Sequence, residues 1–154
     1  MKMMKYISQR GPTCIIASLA MVWGCSFDDV VNEIGHDGTE IMFPESNWPE
    51  GGINLQEILD AAFNRGLAMN VIEFYPRMGP ADGKGERLVY TEEEANLRLR
   101  NYLVHDWCVL RGENKQGCRH SVAWDGIQVH DPDIGRYSIA DFKIDEVLQF
   151  HRIL

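Results

Sequence analysis

The sequence contains no C-x-x-C pair, no cluster of basic residues, no internal repeat and no apolar run long enough to span a membrane. Each absence removes a class of protein. The four cysteines, at 14, 25, 108 and 118, lack the paired spacing of a zinc knuckle, and their pattern fits a chain kept reduced in the cytosol. A formal charge of −8 over 154 residues offers little to grip a phosphate backbone, so nucleic acid is not an expected partner. Without a spanning run, no membrane is expected either.

What is present is ordinary for a soluble globular protein: 45% hydrophobic and 25% charged residues, in a length that buries one core without staples. The whole chain, 1–154, reads as one domain. The segment that points to export is the start, where Lys2, Lys5 and Arg10 precede an apolar run ending in "VWGC", with Cys25 in the place of a lipidated cysteine. Against export, Gln9 and Pro12 interrupt the approach, Trp23 is bulky near the would-be cleavage point, and "SFDDVVNEIG" follows with no polar linker. The run therefore reads as the first helix of the fold.

Residues 14–23 are apolar nearly all round, with small Ala17, Ser18 and Ala20, as in a helix buried on several sides that Gly24 ends. Ser26 and Asp29 form a capping box for "FDDVVNEI", stopped by Gly35. Residues 36–53 read as a long surface loop. Asn54 then caps an amphipathic helix, "LQEILDAAFNR", closed by Gly66, and "LAMNVIEFY" continues as a strand. A second loop covers 76–86, and Thr91 with Glu94 opens a further helix through "EEANLRLRNYL". From 104 onward come short extended runs separated by glycine-containing turns: "VHDWCVLRG", "RHSVAWDG" and "IQVHDP". "YSIADFKIDEVLQFHRIL" closes the chain with a short helical turn and a final strand. Helices first and strands second predict an α+β fold, an N-terminal helical lobe packed on a C-terminal antiparallel β-sheet.

Cys14 stands at the amino end of the first helix, where free backbone N–H groups and the helix dipole favour a thiolate. A buried, inert cysteine suits the same place. A nucleophile needs a base, and of His36, His105, His120, His130 and His151 the third is favoured, because it begins a strand after a glycine turn and can emerge at the end of the sheet. Asp131, eleven positions on, is the candidate to orient that imidazole, brought back by a hairpin near Asp125 and Gly126; Asp125 competes for the role. Gln9, five residues before Cys14, and the Cys14 backbone N–H are candidate donors to a developing oxyanion. Cys118 and His120 also have the alternation that puts two metal ligands on one face of a strand, though no second pair is spaced to complete a site.

The order Gln, Cys, His, Asp resembles that of the papain-like cysteine peptidases, and more narrowly the bacterial peptidases that trim double-glycine leader peptides and their stand-alone relatives. "QRGPTCIIASLAMV", residues 9–22, is similar to that family's opening, and "HSVAWDGIQVHDPDIG", residues 120–135, to its His strand and following Asp-Pro-x-x-Gly. The resemblance implies nucleophile Cys14, base His120, orienting Asp131, oxyanion donor Gln9, no cofactor, and a peptide or protein substrate cleaved through a thioester. Two departures stand out. Ile15 occupies the position after the nucleophile where the family generally has glycine, where it could crowd an approaching carbonyl, and the Gln-to-Cys spacing is one residue short. On the same residues an acyltransferase or amidase is the near alternative, and a non-catalytic papain-fold module that engages a protein partner is the distant one. The loops at 36–53 and 76–87 are expected to border the cleft.

Overall fold

Val109 and Leu110 are adjacent in sequence and both wholly buried, yet they enter different hydrophobic clusters. Period-two alternation does this in a strand that is covered on both faces. The computed structural model of the chain describes residues 2–40, 52–73, 92–103 and 106–153. Among these lie helices α1 (Cys14–Trp23), α2 (Phe27–Ile34), α3 (Leu55–Asn64) and α4 (Glu92–Leu103), and strands β1 (Leu67–Glu73), β2 (Cys108–Glu113), β3 (Arg119–Trp124), β4 (Val129–Asp131), β5 (Gly135–Tyr137) and β6 (Lys143–Arg152). The strands form one antiparallel sheet in the order β1-β6-β2-β3-β4-β5, the mixed α+β architecture that the sequence predicts.

One face carries Val109 and Leu148, packed with Ile15, Ile16, Leu19 and Ala20 of α1, Val30 of α2 and Ile58 of α3. The other carries Leu110, Val122, Val129 and Val147, joined by Leu103 of α4 and by Phe142. Trp124 donates its indole N–H to the Leu103 carbonyl at 2.8 Å, fixing the end of α4 to that second face. The helices therefore divide between the two faces. No single described helix is long and apolar enough to cross a membrane, and α1 is buried within the fold.

Most elements follow local chemistry. α2 and α3 start with complete capping boxes, Ser26 with Asp29 and Asn54 with Glu57. α3 ends at Asn64, with Arg65 as its C-cap and Gly66 beyond it at φ +76°, a backbone angle glycine adopts freely. The expected cap at Thr91, the candidate base His105, and most of the two loops, residues 41–51 and 74–91, lie outside the described residues.

Two features are not those expected. β5, where the sequence reading places no strand, is a three-residue strand that pairs with β4, with Val129 opposite Tyr137. The last strand of the chain, β6, runs between β1 and β2 in the middle of the sheet, so spatial order departs from chain order. β2 meets β6 with a register shift at Arg111/Gly112, and Gly112 lies opposite His120 on β3. A Cβ on Gly112 would collide with the Lys143 carbonyl oxygen, so glycine permits the close approach that sets this corner of the sheet.

Candidate active site

Cys14 is the first residue of α1, and this helix starts differently from the next two. Thr13, its N-cap, accepts the Arg10 N–H at 2.8 Å and donates to the Arg10 carbonyl at 3.0 Å, so its hydroxyl makes no cap bond to the helix. No acidic residue lies in the first turn. The opening N–H groups and the positive end of the dipole thus meet no capping oxygen, the condition that favours negative charge on a group placed there. Ser18, wholly buried, holds the turn in place: its hydroxyl lies 2.7 Å from the Cys14 carbonyl and 3.1 Å from the Ser121 carbonyl, one residue from His120.

His120 is on β3 and Asp131 ends β4. The two strands are paired at Ala123 with His130 and at Trp124 with Val129, so the ladder stops before it reaches either residue. A side-chain bond spans the gap, with His120 Nε2–H donated to Asp131 Oδ1 at 2.7 Å. The segment before α1 engages the backbone carbonyls beside the gap. The Gln9 N–H donates to the Pro132 carbonyl at 2.9 Å, and the Tyr6 hydroxyl to the Asp131 carbonyl at 2.7 Å. The same contacts that anchor the start of the chain hold Cys14, on the following helix, to the Asp131 turn.

The Cys14 side chain is close enough to His120 to act on its titration alongside Asp131, and with Nε2 committed to the carboxylate, Nδ1 is the ring nitrogen left for it. Burial alone would lower the imidazole pKa, but the bonds to Asp131 and Cys14 and their negative charge outweigh it, raising it to about 10. Burial would raise the Asp131 carboxyl, while His120, the Tyr137 hydroxyl and the Asp133 N–H bring it below the usual carboxylate range. The result is a buried line of the Cys14 sulfur, the His120 ring and the ionised Asp131 carboxylate: Cys14 is 3% exposed, His120 7% and Asp131 1%.

The remaining candidates are placed as follows. Gln9 sits at the start of the Cys14 segment, with one amide N–H donated to the Gly11 carbonyl at 3.0 Å and Oε1 buried without a partner. Asp125 does not orient His120; its Oδ1 accepts the Ile127 and Gln128 N–H groups, and its Oδ2 meets His130 Nε2 at 2.7 Å. His36 binds Glu57 at 2.6 Å, and His151 is exposed on β6. Ile15, the residue after Cys14 that could crowd a substrate, packs into the core at 2% exposure, on the side of α1 that meets Val109 and Leu148 of the sheet. Cys118 is exposed at the β2–β3 turn, and no group of three His, Cys, Asp or Glu side chains suited to a metal ion occurs among the described residues.

The sequence reading missed two tyrosines. Tyr6 and Tyr137 both donate to Asp131, to its carbonyl and to its Oδ2, each at 2.7 Å. Tyr137 was within reach of inference: if "DPDIG" turns a hairpin, the residue two beyond its glycine returns alongside β4. Tyr6 carried no local signal, because its contact spans 125 positions.

No family model and no curated protein matches the chain. Solved structures do. The chain is similar to a double-glycine motif protease from an AMS/PCAT transporter, solved in complex with the leader peptide, at 18% identity and TM-score 0.54 over 97% of this chain and 92% of that one. It is similar also to the peptidase domain of Streptococcus ComA, a bi-functional ABC transporter involved in a quorum-sensing pathway, at 15% identity and TM-score 0.59 over 97% and 99%. The fold is that of these papain-like peptidase domains.

Proposed function

We propose that the chain is a cysteine peptidase or isopeptidase that cleaves a peptide or protein amide through a thioester at Cys14, with His120 as general base and acid and Asp131 as its orienting carboxylate. The observation that carries this reading is the contact of one imidazole with both a helix-start thiol and a buried carboxylate. The likeness of fold to peptidase domains supports it.

The chemistry follows from the geometry. With the Cys14 proton resting on the His120 ring as a thiolate–imidazolium pair, sulfur attacks the carbonyl carbon to form a C–S bond and an oxyanion. The Cys14 N–H and the free N–H of the Gln9 amide are the proposed donors to that charge. Collapse breaks the C–N bond as the imidazolium protonates the departing amine. Water, deprotonated by His120, then attacks the thioester, and the C–S bond breaks to give a carboxylic acid and the thiol. Asp131, ionised throughout, keeps the ring aimed and stabilises its cationic form. No cofactor is required. The free thiols suit a reducing compartment, and the cytosol is the proposed site of action.

Wild type and Cys14→Ala should be incubated with a peptide panel that includes double-glycine sequences, the products being identified by mass. Cleavage by wild type and none by a folded Cys14→Ala is expected. Equal turnover by the two proteins would overturn the proposal, and amide exchange onto an added amine without net hydrolysis would move it to acyl transfer.

A further inference from the structure

Asp131 must present one particular oxygen to His120, and its own torsions do not ensure that, because the terminal carboxylate rotation of aspartate is broad and roughly two-fold. Oδ1 receives His120 Nε2 at 2.7 Å and the Asp133 N–H at 2.9 Å, two donors on a single atom. A carboxylate held through one oxygen can still swing about it. Oδ2 is held by the Tyr137 hydroxyl at 2.7 Å. Tyr137 has a firm base for this, since β5 pairs with β4 and sets Tyr137 opposite Val129, with its ring packed against the second core cluster.

We infer that Tyr137 is a positioning residue of the proposed active site: its hydroxyl fixes the plane of the Asp131 carboxylate so that Oδ1 faces His120 Nε2. The inference rests on the roles proposed for Cys14, His120 and Asp131. Tyr137 acts through Asp131 on His120 and takes no part in bond making.

The charged surroundings keep the bond in one direction. Burial, Asp131 and, from the 3-10 turn at Ile139–Asp141, the Asp141 carboxylate all raise the Tyr137 pKa above that of ordinary phenol, so the hydroxyl stays a donor. Lys115, from the β2–β3 turn, pairs with Asp141 at 3.2 Å. Lys115, Asp141 and Tyr137 line one small cavity of about 100 Å³ together with Asn114, Gln116 and Ile134. Tyr137 thus faces Asp131, Asp141 and Lys115, with His120 and Cys14 beyond the carboxylate.

The sign of one titration separates positioning from a simple charge effect. Removing a donor from a carboxylate that keeps its aim leaves a more basic carboxylate, and the midpoint of His120 rises. Removing the donor that provides the aim weakens the His120–Asp131 bond, and the midpoint falls. The experiment is an NMR titration of the His120 ring in the full chain for wild type, Tyr137→Phe, Asp131→Ala and the double variant, with Cys14 alkylation by iodoacetamide measured on the same samples. Tyr137→Phe retains the ring and its packing. Its His120 midpoint is expected below the wild-type value and its Cys14 labelling slower by about 3- to 10-fold, as for loss of one hydrogen bond. In the Asp131→Ala background the same substitution should change neither quantity further. An unchanged or raised midpoint in Tyr137→Phe, or an equal effect in both backgrounds, overturns the inference. A lowered midpoint with a Cys14 that never shows His120-dependent reactivity would instead overturn the peptidase proposal and leave the positioning role of Tyr137 intact.

Discussion

Two histidine–aspartate pairs link β3, β4 and the turn between them, and both are 2.7 Å long from Nε2 to carboxylate oxygen. In one, His120 and Asp131, the ring also feels the side chain of Cys14, at the start of a helix with no side-chain cap bond. In the other, His130 and Asp125, Nδ1 faces the Arg136 Nε–H at 3.4 Å, and the aspartate is occupied with the N–H groups of its own turn. Distance alone does not tell the pairs apart. The other side of the ring separates the proposed roles: a cysteine at a helix start suits a relay, whereas an arginine and a turn make a rivet. His130, at 1% exposure, is the satisfied core histidine that a lone histidine more often proves to be.

Substitution should separate the pairs most sharply at the base itself. His120→Ala is expected to slow amide cleavage roughly a hundred- to ten-thousandfold, the range of a general acid–base contribution. His130→Ala should leave cleavage per folded molecule within about twofold, since it touches no reacting group. Initial rates on one peptide substrate test both, and equal losses would erase the distinction between the pairs.

The carboxylates come next. With the His120 pKa raised to about 10, the imidazolium proposed to protonate the leaving amine persists through neutral pH, so cleavage should fall only as pH rises through about 10. Asp131→Asn removes the charge that supports the cation, and this alkaline limb should move to lower pH. Asp125→Asn should leave it in place. A pH–rate profile shared by wild type and Asp131→Asn would contradict the role given to Asp131.

Stability should show the opposite pattern. His130→Ala strands Asp125 Oδ2 and opens space in the sheet, and is expected to destabilise the protein by about 1–3 kcal/mol in denaturant melts. Ser18→Ala, which removes the hydroxyl between α1 and β3, should cost about 1 kcal/mol. Smallest of all, Cys118→Ser at the exposed turn is expected to change neither rate nor stability measurably.

The chain announces some of this and conceals the rest for physical reasons. α2 and α3 were legible because their capping boxes are local, complete within four residues. Cys14 was legible as the start of an apolar helix, and its nearness to His120 and Asp131 through the order of motifs. β5 was not, because three residues give too short a period to read, and "DPDIG" is chemically a turn. The central place of β6 depends on pairings with β1 and β2, both distant in sequence, which no local pattern encodes. The burial of Ile15 depends on which way the second residue of α1 faces, and with apolar residues nearly all round the sequence marks no outer face.

The most direct measurement is a time course of thiol alkylation by iodoacetamide at mildly acidic pH, each of the four cysteines followed by peptide mass mapping. It should be run on wild type, His120→Ala and His130→Ala. An ordinary thiol, with a pKa near about 8.5, is almost wholly protonated there and labels slowly. Fast labelling confined to Cys14, lost in His120→Ala and retained in His130→Ala, is the expected result. Labelling of Cys14 no faster than that of Cys25, Cys108 and Cys118, or equally fast without His120, would contradict the proposed thiolate–imidazolium pair and with it the catalytic reading.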